Sequence, residues 1–137
     1  MKLTALFSSL FLTTFAAGEA IHLVNCNGGP QPISMVAYYA DDHNPTQPPS
    51  DNVCLMSYGP YFYWETGIYE YCKFPTGVEF KFNIEVVAQA PGVGDYSDVG
   101  YGSNGYRKFN CFKDDKHQLF SGSRYGTCYS IYYCLPY

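Results

Sequence analysis

A chain of 137 residues is long enough for one domain of ordinary size and too short for two with substantial cores. Aromatic residues make up 19% and charged residues 15%, a balance that excludes a disordered or highly charged tail as the main business of the protein. The net charge of -4, with only 8 Lys plus Arg and no run of them, leaves no electrostatic footprint for a phosphate backbone and argues against nucleic acid as a partner.

Lys2 supplies a positive n-region, and residues 3–15 form an apolar run broken only by Ser and Thr. The run is shorter than the roughly 20 residues that span a bilayer, so it reads as a secretory leader and not as a membrane span. Gly18 and Ala20 are small residues placed three and one before a cut after Ala20. The expected organisation is a signal peptide over 1–20 and a single disulfide-bonded domain over 21–137, secreted and monomeric. Cys26, Cys54, Cys72, Cys111, Cys128 and Cys134 all lie in the mature part, and an even number bound for an oxidising compartment predicts three disulfides. Dispersed cysteines with no C-x-x-C pair argue against a metal cluster, and no cofactor is implied.

The mature chain reads as short strands divided by turn residues. Apolar, β-branched and aromatic runs fall at 21–25, 33–39, 61–64, 68–73, 106–113, 118–120 and 127–134, with no helical period among them. Over 78–86 apolar and polar residues alternate without a break, which sets Val78, Phe80, Phe82, Ile84 and Val86 toward a core and Glu79, Lys81, Asn83 and Glu85 toward water. All nine prolines lie outside these runs, and Gly and Pro punctuate loops at 28–30, 41–52, 74–77 and 91–105. About seven or eight short antiparallel strands in one domain predict an all-β sandwich or partly closed barrel stapled by disulfides. Aromatic residues before two acidic turns, Tyr39-Ala40-Asp41-Asp42 and Phe112-Lys113-Asp114-Asp115, add a hint of crystallin-like Greek keys. Cys128 and Cys134 are six residues apart in one strand, about 20 Å at about 3.3 Å per residue, so they are not expected to bond to each other. The local bridge is expected between Cys54 and Cys72, leaving Cys26 and Cys111 to meet the C-terminal strand.

Candidate chemistry is sparse. His22 lies in the first strand, while His43 and His117 sit in the acidic turns, a metal set only if those turns meet in space; no close ligand spacing supports it. Gly92-Val93-Gly94-Asp95-Tyr96-Ser97 precedes no helix and reads as a loop. A secreted hydrolase, glycosidase or ribonuclease, would draw on Glu65 and Glu70 beside Trp64, with Arg107 for a phosphate. The aromatic cluster Tyr58, Tyr61, Phe62, Tyr63 and Trp64 around Pro60 is the stronger feature, because alternation cannot send all of it to one core face. Tyr58, Tyr61, Tyr63 and Trp64, with Tyr96 and Tyr101 of the Gly-rich loop as a second wall, are the expected binding residues for a glycan or an extracellular protein.

Val24-Asn25-Cys26-Asn27, Cys72-x-Phe74-x-x-Gly77-Val78-x-Phe80, Phe109-Asn110-Cys111-Phe112-Lys113-Asp114 and Cys128-Tyr129-Ser130-Ile131-Tyr132-Tyr133-Cys134 together resemble small secreted cysteine-containing proteins of mushroom-forming fungi. The resemblance implies secretion into a fungal extracellular setting and carries over no catalytic residue. The expectation is therefore a non-enzymatic, effector-like binding module, with a secreted hydrolase or a crystallin-like antimicrobial toxin as the alternatives.

Overall fold

The computed structural model describes residues 18–137, and most of the expected leader, 1–17, lies outside the described residues. These form nine β-strands and one short 3-10 turn at Ser50–Asn52, with no α-helix among them. Strands β1 (Ala20–Asn27), β2 (Ile33–Tyr39) and β3 (Val53–Tyr58) make one antiparallel meander. A second runs through β4 (Glu70–Lys73), β5 (Glu79–Ile84), β6 (Asp98–Ser103) and β7 (Lys108–Lys113). The long C-terminal strand β9 (Gly126–Pro136) lies between β1 and β7 and joins the meanders, while β8 (Gln118–Gly122) pairs with its first half. The order β3-β2-β1-β9-β7-β6-β5-β4 curls into a nearly closed all-β barrel, as the strand count and turn chemistry predict.

Alternation over 78–86 places Phe80, Phe82 and Ile84 in the interior with no exposed surface. The pattern overreaches at its end: the strand stops at Ile84 and Val86, 64% exposed, lies in the following turn. Residues 61–64 are extended but pair with no strand, which corrects the expected strand there. Two strands the sequence hides are β3 and β6. In β6 the glycines look like loop residues, yet a Cβ on Gly100 would stand 2.2 Å from the Asn83 carbonyl oxygen and one on Gly102 2.6 Å from the Phe80 ring. The glycines let β6 lie close against β5 and its ring stack.

There are two apolar clusters. Ile21, Leu23, Phe80, Phe82, Phe109 and Tyr132 fill the barrel together with Trp64. Outside β1 and β2, Val24, Met35 and Ala37 meet Leu119, Phe120 and Tyr125 of the β8–β9 hairpin. Being covered on both faces, β1 is buried without a break from Ala20 to Val24, His22 included, and its burial does not alternate. In β9 the register against β1 skips Ile131, a bulge that reverses which side the following residues face. Cys128 therefore belongs to the outer cluster and Cys134 to the barrel interior, correcting the expectation that they share a face.

Three disulfides form, Cys26–Cys128, Cys54–Cys72 and Cys111–Cys134, in the expected arrangement. The first and third tie directly paired residues of neighbouring strands. Cys54–Cys72 joins β3 to β4, the two strands at the ends of the sheet order, and so staples the seam the ladder leaves open. With its cysteines 18 positions apart, this bridge contributes about 3 kcal/mol through loop-closure entropy. Replacing Cys54 and Cys72 together by Ser is expected to lower the urea-unfolding free energy by that amount; a loss below about 1 kcal/mol would mean the seam closes without its staple.

Candidate functional site

The expected binding residues do not form one surface. Trp64 is 2% exposed: its ring packs against Phe62 and Phe82, and its Nε1–H donates to Asn25 Oδ1 at 3.1 Å. It is a core residue, a correction with a plain cause: alternation along 61–64 sends Phe62 and Trp64 inward and Tyr61 and Tyr63 outward. Tyr58 and Tyr63 are exposed, and Tyr61 ties its hydroxyl to the Cys26 carbonyl. Tyr96 stands apart from Tyr101, donating its hydroxyl to Asp115 at 3.0 Å.

Tyr101 belongs instead to the outer face of β4–β6. Tyr71 pairs with Lys81 across β4 and β5, Lys81 with Ser103 across β5 and β6, and Asn83 with Tyr101 one row on. The Tyr69 ring meets that of Tyr101 edge-on at 5.7 Å, Lys81 Nζ stands 4.8 Å from the Tyr69 ring centre, and Asn83 Nδ2 donates to the Tyr101 hydroxyl. Tyr106 projects from the β6–β7 turn, 82% exposed. An open groove of about 610 Å³ runs between Tyr71, Lys81, Ser103 and Tyr106. At Val78, Asn104 and Tyr106 it meets a second cavity of about 350 Å³ at the barrel end, floored by Ile21, Phe74 and Val78 and rimmed by Arg107 and Glu19. The sequence carried a signal for this face: Tyr69 and Tyr71 share a side at i, i+2, opposite the outward positions 79, 81 and 83.

The residues nominated for hydrolysis are not gathered. Glu65 accepts the Tyr132 hydroxyl, and that phenol is pushed well above its usual range by burial and then by the Glu65 bond. Glu70 lies in β4 opposite Phe82. Arg107 is held by Glu19 at 2.8 Å and lines both the 350 Å³ cavity and a neighbouring one of about 760 Å³ bounded by Asp41, Asp42 and His43, and neither Glu65 nor Glu70 lines either.

The two acidic turns do meet. His22 Nε2 is 2.9 Å from Asp42 Oδ1, and its Nδ1 is 2.8 Å from Ser130 Oγ. The Ser130 hydroxyl in turn donates to Asp114 Oδ2. Ser130 has no exposed surface, so the line fastens the loops and presents no nucleophile. Beside it, Asp115 is drawn down to about 2 by the hydrogen bond from His117. Burial lowers the His117 value, but bonds and charge from Asp115 and Asp114 outweigh it and the net shift is upward. His43 stays apart, its backbone N–H closing a turn on Asp41.

No protein-family model matches the chain, and no curated protein or solved structure matches it at a significant level.

Proposed function

We propose that this is a secreted, non-enzymatic binding module whose ligand is a neutral glycan, in keeping with its resemblance to small secreted fungal proteins. The observation that carries the reading is the face built by Tyr69, Tyr71, Tyr101 and Tyr106, each at least 41% exposed. Tyrosine rings stack on the C–H faces of sugars, while Lys81, Asn83 and Ser103 offer partners for hydroxyl groups. The net charge of -4, with Glu79, Asp51 and Glu19 along the grooves, disfavours polyanionic chains. Continuity from the sheet face to the barrel end suits a linear oligosaccharide better than a single sugar.

The test is calorimetric titration with cello-, laminari- and chito-oligosaccharides of increasing length. Tyr71→Ala, Tyr101→Ala and Tyr106→Ala should each weaken binding about tenfold, or about 1.4 kcal/mol, and Tyr63→Ala should leave it unchanged. If Tyr58→Ala and Tyr63→Ala weaken binding and the β4–β6 variants do not, the site lies on the other face. Multiple turnover abolished by Glu65→Gln or Glu70→Gln would replace the binding reading with a hydrolase.

A further inference from the structure

Gly18, Glu19 and Ala20 precede the boundary that small-residue spacing sets after Ala20, yet the fold uses all three. Ala20 has no exposed surface and pairs with Tyr39 as the first rung of the β1–β2 ladder. Glu19 makes two contacts, accepting from Arg107 Nη1 on Oε1 and from the Tyr38 hydroxyl on Oε2, both at 2.8 Å. The Tyr38 hydroxyl is raised to about 12, first by burial and then by this bond to Glu19. Glu19, Tyr38 and Arg107 line both the 350 Å³ cavity floored by Ile21 and Phe74 and its neighbour of about 760 Å³ bounded by Asp41, Asp42 and His43, so together they form the wall between them. Gly18 is exposed and touches the fold through one bond, its carbonyl accepting from the Asp42 N–H at 3.2 Å.

A cut after Ala20 would put a new ammonium group on Ile21, a residue 1% exposed and paired on both sides, with Tyr38 and with Cys134. Placing an unpaired charge there is strongly unfavourable. The same cut would take away the one carboxylate that holds Arg107 and Tyr38.

We propose that the leader is removed ahead of Glu19, by hydrolysis of the Gly18–Glu19 peptide bond, and that the new N-terminal residue completes the barrel-end wall. Ala16 and Gly18 then occupy the small positions three and one before the cut. In the step, water gives its hydroxyl to the Gly18 carbonyl carbon and its proton to the Glu19 nitrogen. The ammonium forms on half-buried Glu19, one residue nearer the exposed Gly18 end than the fully buried Ala20, at the cost of the single backbone hydrogen bond from Asp42 to the Gly18 carbonyl.

The inference rests on the secretion reading, and one experiment separates the two. The full chain is expressed in a fungal host, and cell and medium fractions are analysed by intact mass and N-terminal sequencing. Protein in the medium that begins at Glu19 supports the proposal, and a start at Gly18 or earlier overturns it. Protein in the medium that begins at Ala20 or later overturns it while leaving secretion standing. Protein that stays in the cells and keeps Met1 overturns both.

Discussion

Replacing Trp64 by Ala is expected to cost about 3–5 kcal/mol of stability, the range for truncating a buried aromatic. The ring is 2% exposed and stands 5.0 Å from Phe62 and 5.7 Å from Phe82, centre to centre, so its removal opens a void in the barrel wall. Trp64→Phe should cost less, because Asn25 Oδ1 keeps the Ser34 hydroxyl as a donor after losing the indole N–H. Urea unfolding reads both. A loss under about 1 kcal/mol for Trp64→Ala would place the ring outside the core and restore it as a binding residue. Since it is the only tryptophan, its fluorescence offers a second readout: emission should be blue-shifted, shielded from soluble quenchers and indifferent to added oligosaccharide.

Trp64 also shows what the sequence makes legible. Aromatic density at 58–64 correctly says that some rings point outward, because alternation is a local property. Which rings those are depends on the phase of the segment against the barrel, which is set by contacts with Asn25 and Phe82 far along the chain. The 78–86 run was readable because a half-buried strand writes its environment into successive residues. β6 was hidden for the opposite reason: its glycines record a close approach of neighbouring backbone and rings, information that composition renders as loop. The cysteine pairing was partly legible, since Cys54–Cys72 is local, whereas the bulge at Ile131 that divides Cys128 from Cys134 left no mark in the residue types.

The face of β4–β6 follows the same logic. Glu79, Lys81 and Asn83 read as an ordinary wet surface when taken alone, and Tyr71 and Tyr101 as scattered aromatics. Only the ladder, by setting Tyr71 beside Lys81 and Asn83 beside Tyr101, turns them into rings flanked by polar partners. Arg107 gains a context likewise: it is paired with Glu19 at the barrel end and bounds a cavity there.

The acidic turns yield the second large effect. His22→Ala is expected to destabilise the protein by about 3–5 kcal/mol, the cost of removing one member of a buried charged network. The imidazole is 4% exposed and is the one side chain that touches both ends of the line, Asp42 directly and Asp114 through Ser130. Its ring also meets Tyr39 edge-on at 5.7 Å, so packing is lost with the hydrogen bonds. After truncation Asp42, whose side chain is 30% exposed, can turn to water, whereas Asp114 at 5% cannot. The penalty should therefore fall on Asp114, and neutralising that carboxylate should relieve part of it. In a double-mutant cycle, His22→Ala with Asp114→Asn is expected to cost less than the sum of the single variants by more than about 1 kcal/mol. Additive losses within about 0.5 kcal/mol would show the two residues to be energetically independent and the line through Ser130 to be a coincidence of packing.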